Sequence, residues 1–126
     1  MPARTIGLPV KRLFSATINS LRGLGYGLKS EAALREEVGL LAAGVVLGLF
    51  VAPSVGWYVI MVGSLLIVVA TEFLNTAIEK LADYVTRERH VEIRRIKDFG
   101  SAAVFCTICL VGLIWLAAIA VRFGLI

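Results

Sequence analysis

After residue 37 the chain is dominated by three apolar runs, Val38 to Ala52, Trp57 to Ala70 and Gly100 to Val121, with the polar residues gathered in the breaks between them. The last run carries no charge and reaches the roughly 20 residues needed to cross a bilayer. The first reaches that length only with part of Leu34 to Glu37 added. The second continues without a break into TEFLNTAIEKLADYV, Thr71 to Val85, which predicts one long helix whose end leaves the membrane. Ahead of these runs, Leu13, Phe14, Ile18, Leu21, Leu24 and Leu28 recur at helical spacing among Lys11, Arg12, Arg22 and Lys29. That is the pattern of an amphipathic helix lying in the bilayer surface. Gly23, Gly25 and Gly27 each weaken such a helix by roughly 1 kcal/mol relative to alanine, and a bend is expected there.

The predicted architecture is an all-α membrane protein made of one domain, residues 1–126. It has an interfacial helix over 9–29, an elbow at Lys29 and Ser30, and transmembrane helices over 34–52, 56–74 and 100–121. The second span extends to about residue 86, a turn at Pro53 joins the first two, and a charged connection over 87–98 precedes the third. Gly39, Gly44 and Gly48, with Gly63 and Ser64, offer the small surfaces on which membrane helices approach closely, and oligomerisation is expected.

With 59% hydrophobic residues and a mean hydropathy of +0.88 over 126 residues, the chain is too apolar for an ordinary soluble domain and too short for two. Its net charge of +4 is distributed by side of the membrane. Arg4, Lys11, Arg12, Arg22 and Lys29 precede the first span, and Lys80, Arg87, Arg89, Arg94, Arg95 and Lys97 surround the second connection, whereas the Pro53 to Gly56 turn has no cation and the C-terminus only Arg122. The N-terminus and the second connection are therefore expected in the cytoplasm, with the Pro53 turn and the C-terminus on the periplasmic side. The scattered cations break any signal-peptide core, so the N-terminus is expected to be retained. No cation run is interleaved with aromatics, and no nucleic-acid partner is expected. Cys106 and Cys109 have redox-pair spacing but lie in an apolar span without a charge to activate a thiol, and are read as packing residues.

The candidate chemistry lies where the second apolar run ends. Glu72, Asn75, Glu79 and Asp83 are separated by three or four residues and so share one helix face. A carboxylate directly after an uncharged span is costly unless paired or used, which marks Glu72 first. Soluble nucleotide-binding motifs are absent, including GxxxxGK[ST], HRD, DFG and GxSxG. In their place, Glu31, Glu37, Glu72, Glu79, Asp83, Glu88 and Asp98 supply hard oxygen ligands, and Arg12, Arg22, Arg95 and Lys97 supply cations for phosphate oxygens. That inventory fits phosphoryl transfer from a magnesium-bound nucleotide. A small oligomeric proton or cation transporter using Glu72 is the reading from another class, and a purely structural membrane subunit is a third.

EFLNTAIE, Glu72 to Glu79, followed by IKDFGSAAV, Ile96 to Val104, and preceded by SLRGL, Ser20 to Leu24, and SEAALREE, Ser30 to Glu37, resembles the small prokaryotic diacylglycerol kinases over nearly the whole chain. The resemblance implies transfer of the γ-phosphoryl group of ATP to diacylglycerol, giving phosphatidic acid, in a homotrimer with shared sites in the bacterial inner membrane. It implies Mg2+ on Glu31 and Glu79, Glu72 as the base on the lipid hydroxyl with Asn75 supporting it, and Arg12, Asn19, Glu31, Glu79, Glu88, Arg89, His90, Lys97 and Asp98 around the nucleotide. Arg12, Glu72 and Ser101 would meet the lipid. Asn19, Leu21 and Arg89 depart from the family pattern, in which aromatic residues are common at those places. Undecaprenol kinase is the alternative within the same family.

Overall fold

The computed structural model describes residues 9–126; Arg4, counted among the N-terminal cations, lies outside them. All regular structure among the described residues is α-helical, in four helices: α1 (Pro9–Ser30), α2 (Ala32–Val51), α3 (Val55–Val85) and α4 (Val91–Arg122). The chain divides into two compact units, Met1–Ala32 and Ala33–Ile126.

In the first unit, α1 opens on Pro9, whose fixed φ and missing N–H suit the first position of a helix. Val10, Leu13, Phe14, Ile18 and Leu21 are exposed, leaving an apolar stripe for a surface other than water. Thr17 and Ser20 donate to the carbonyls of Leu13 and Ala16, each at 2.9 Å, so their hydroxyls are satisfied within the helix. The helix is continuous through Gly23, Gly25 and Gly27, and those glycines do not end it. The break falls at Glu31, one residue past the predicted elbow. There the Ser30 hydroxyl lies 2.9 Å from the Tyr26 carbonyl and 2.8 Å from the Glu31 carboxylate.

In the second unit, α3 and α4 are both long and apolar enough to cross a membrane. With 31 and 32 residues at about 1.5 Å per residue, each exceeds the roughly 30 Å hydrocarbon core, so a polar end projects from the apolar part. The helix α2 carries Arg35, Glu36 and Glu37 in its first turns, which leaves a shorter uncharged stretch than in the other two. The turn between α2 and α3 matches its sequence signals. Pro53 follows the end of α2, and the Ser54 hydroxyl accepts from the Trp57 N–H at 3.3 Å as the N-cap of α3.

Helices α3 and α4 form an antiparallel hairpin: Asp83 meets Lys97 near the connection, Asn75 meets Gly100 further down, and the Trp115 indole N–H donates to the Met61 carbonyl at 3.3 Å towards the far end. Met61, Val68 and Ala118 are buried in this unit. The helix α2 is tied to α3 by the Tyr58 hydroxyl, which donates to the Val45 carbonyl at 3.0 Å. Gly48 and Gly44 make room there: a Cβ on residue 48 would stand 3.1 Å from the Tyr58 ring, and one on residue 44 would meet Leu65 and the Trp115 ring. These small residues serve contacts within one subunit. Large apolar side chains such as Leu49, Phe50, Leu113 and Leu116 remain exposed, as lipid or neighbouring chains require.

The predicted charged connection over 87–98 is shorter than expected. Only residues 86–90 separate the two helices, and Val91 to Lys97 already belong to α4. Ile93 and Ile96, with Ile78, Leu81, Ala82 and Val85 of α3, line an apolar groove of about 530 Å³, so the apolar face of α4 continues beyond the span.

Candidate functional site

The polar end of the α3–α4 hairpin carries the candidate chemistry. On α3, the apolar run ends in a face where Glu72 is only 9% exposed and Asn75 7%. Thr76 is buried beside them, and Glu79, one turn further on, is exposed. The Asn75 side-chain amide donates to the Glu79 carboxylate at 3.4 Å, so part of the predicted stripe is connected by hydrogen bonding. The other half of the Asn75 amide, its Oδ1, is buried without a hydrogen-bond partner. The carboxylate of Glu72 and the amide of Asn75 are thus both buried at the junction of the apolar and polar parts of α3.

Between the helices, Lys97 Nζ donates to Asp83 Oδ1 at 2.5 Å. Asp83 lies in the polar end beyond the apolar run, and the Lys97 hydrogen bond holds its carboxyl below the usual carboxylate range. The connection is ordered by its own side chains: the Thr86 hydroxyl accepts from the Glu88 N–H at 3.1 Å, and His90 Nδ1 accepts from the Glu92 N–H at 3.3 Å. His90 is thus the N-cap of α4 rather than a residue in the middle of a loop. Glu88, Arg89, His90 and Lys97 line one recess of about 450 Å³ together with Arg87 and Arg94. The positive end of the α4 dipole and the surrounding cations favour an anion at this place.

Four of the predicted nucleotide residues, Glu88, Arg89, His90 and Lys97, are therefore brought together, and Glu72, Asn75 and Glu79 share one face. Asp98 and Ser101 follow on α4, both exposed. Arg12, Asn19 and Glu31 belong to the N-terminal unit. Sequence reasoning did not single out Arg87 and Arg94 as lining residues, Thr76 as a buried polar group, or Gly100 as the residue against Asn75. Arg94 and Lys97, three residues apart on one helix, could have been paired from their spacing, and Arg87 from its place in the charged connection; Thr76 and Gly100 had no signal beyond their place in the two motifs.

A family model described as prokaryotic diacylglycerol kinase matches residues 18–119, a stretch that contains all of α3, all but the last residues of α4 and every motif quoted above. The chain belongs to the prokaryotic diacylglycerol kinase family. It is similar to the diacylglycerol kinase of Haemophilus influenzae, 38% identical over 112 residues that cover 89% of this chain and 93% of that one. The diacylglycerol kinase of Pseudomonas aeruginosa is 34% identical over 106 residues, covering 84% and 86% of the two chains, and that of Escherichia coli is 32% identical over 113 residues, covering 90% and 93%. The expectation of a membrane-associated lipid kinase is met at this level. The transporter and structural-subunit readings gain no support from these matches.

Among the described residues, no three His, Cys, Asp or Glu side chains gather as a ready-made metal cage. Magnesium keeps several waters and takes one or two carboxylates together with substrate phosphates. Glu79 offers such a carboxylate, exposed and oriented by Asn75, so the donor set fits the ion that a prokaryotic diacylglycerol kinase is expected to use.

Proposed function

We propose that this chain phosphorylates diacylglycerol to phosphatidic acid with MgATP at the cytoplasmic surface of the bacterial inner membrane. The observation that carries the reading is the buried Glu72 at the end of the apolar part of α3, on one face with Asn75 and Glu79 and on the same hairpin as the basic recess, in a chain of this family. Phosphoryl transfer asks little covalent chemistry of a protein; it needs an in-line hydroxyl, neutralised charge and one group to receive a proton.

In this proposal Glu72 accepts the proton of the lipid hydroxyl as the oxygen attacks the γ-phosphorus, with Asn75 supporting the site. Glu72 stands where the apolar part of α3 ends, so a headgroup hydroxyl would reach it while the acyl chains stay in the bilayer. Glu79 and Glu31 would hold Mg2+, which supplies charge neutralisation on the phosphate oxygens. Lys97, Arg89 and His90 would line the triphosphate, Arg12, Asn19, Glu88 and Asp98 the rest of the nucleotide, and Arg12 and Ser101 the lipid. Lys97 would exchange Asp83 for a phosphate oxygen, a move between two charge-assisted partners. The assembly proposed is a homotrimer of three-span subunits, with α2 as the third span and the N-terminus in the cytoplasm.

The test is direct. Purified protein in mixed micelles, given MgATP and a short-chain diacylglycerol, should yield lipid phosphate in proportion to enzyme. Absence of lipid phosphate with folded protein would refute the proposal.

A further inference from the structure

Gly100 sits on α4 directly against Asn75 of α3. A Cβ built on residue 100 would collide with Asn75 Oδ1 and stand 3.3 Å from Asn75 Cγ. The backbone of α4 is thus pressed onto one half of a side-chain amide whose other half donates to Glu79 at 3.4 Å. Oδ1 is buried and has no hydrogen-bond partner, and the Gly100 Cα–H is the group it faces, a weak contact that nonetheless recurs where helices approach closely. The two neighbours select one amide orientation. Turned over, the amide would aim its NH2 at a C–H and its carbonyl oxygen at a carboxylate, and both contacts are unfavourable.

We infer that Gly100 is a positioning residue for phosphoryl transfer: its bare Cα holds the Asn75 amide with Nδ2 towards Glu79, and so fixes the carboxylate that receives the divalent cation. The inference rests on the metal role proposed for Glu79 and adds the element that orients it from the opposite helix. Any side chain at residue 100 displaces Oδ1, turns the amide and releases Glu79. Groups that orient a metal ligand in this way typically change metal affinity by about 10- to 100-fold when lost.

The sequence has two asparagines, Asn19 and Asn75, so asparagine-selective 15N labelling in detergent micelles gives two side-chain NH2 signals, assigned by Asn19→Gln. Gly100→Ala should shift the Asn75 NH2 signal and speed its exchange with water. It should also weaken binding of Mn2+ in the presence of a non-hydrolysable ATP analogue, read by electron paramagnetic resonance, by about tenfold or more. Asn75→Ala should weaken Mn2+ binding to the same extent, and the double variant no further, since both changes remove one contact. If Gly100→Ala does not fold, adding Asn75→Ala should restore folding by removing the oxygen in the way. An unshifted Asn75 signal in folded Gly100→Ala, a double variant weaker than either single one, or a failure of that rescue overturns the inference. Glu79→Gln separates it from the reading beneath it: if that change leaves Mn2+ affinity intact while Gly100→Ala still shifts the amide signal, the metal role of Glu79 fails and the positioning contact stands.

Discussion

Replacing Glu72 by glutamine separates proton acceptance from binding. The side chain is 9% exposed, and glutamine matches glutamate in shape, so the buried space stays filled and the α3 face keeps its packing. What is lost is the ability to take a proton. Removal of a general base costs about 100-fold or more in turnover, which corresponds to roughly 2.7 kcal/mol of transition-state stabilisation. Glu79 is exposed and hydrogen-bonded to Asn75, so Glu79→Gln should act differently, as a poorer ligand for a hard cation. The assay is steady-state phosphorylation of a short-chain diacylglycerol across Mg2+ concentrations, together with calorimetric binding of a non-hydrolysable MgATP analogue. Glu72→Gln should lower kcat with nucleotide affinity nearly unchanged, and Glu79→Gln should raise the Mg2+ requirement and weaken nucleotide binding. Equal loss of MgATP binding in both variants would refute the division of roles.

Topology gives a further expectation: in a Cys106→Ala, Cys109→Ala background that keeps full activity, Ser54→Cys should react with an impermeant thiol reagent from outside intact cells and Arg94→Cys should not; the reverse labelling would overturn the orientation. Tyr58→Phe removes the hydroxyl that reaches the Val45 carbonyl and should lower stability by about 0.6 kcal/mol, the usual scale of a hydrogen bond between membrane helices, measured by denaturation in mixed detergent; no change would mean that the α2–α3 contact rests on the glycines alone. The Asp83 carboxyl is lowered by the hydrogen bond from Lys97, so its folded-state value lies below the unfolded one of about 3.9. The contribution is therefore full above the unfolded value and lost as pH falls through the folded one; Asp83→Asn should flatten the acid limb of the Tm–pH curve, and an unchanged limb would dismiss the pair as a stabilising contact.

The long α3 could be read from sequence because an uncharged run and a carboxylate stripe follow each other without a helix breaker, and α1 because its apolar residues keep one helical face. Pro53 marked the first turn as a helix stop, and the structure adds Ser54 as the N-cap of α3. The start of α4 was not read, since Glu92, Arg94, Arg95 and Lys97 hide the spacing of Ile93, Ile96, Gly100 and Ala103, which line the groove facing α3. Charged residues are good helix formers, and with His90 as cap the helix begins well before the span. At the site, the shared face of Glu72, Asn75 and Glu79 follows from helical period alone, but the direction of the Asn75 amide depends on what α4 presents at Gly100. Contacts between helices distant in sequence are not encoded in the period of either one.

In the proposed reaction a lipid hydroxyl on a small uncharged head is phosphorylated from ATP beside Glu72. The most direct measurement is a competition in mixed micelles between diacylglycerol and undecaprenol at equal mole fraction, with ATP labelled in its γ-phosphate and products resolved by thin-layer chromatography. Initial rates should favour diacylglycerol by at least about tenfold, corresponding to roughly 1.4 kcal/mol of differential transition-state binding. A preference for the polyprenol would replace the named substrate, and no labelled lipid from either would refute lipid phosphorylation by this protein.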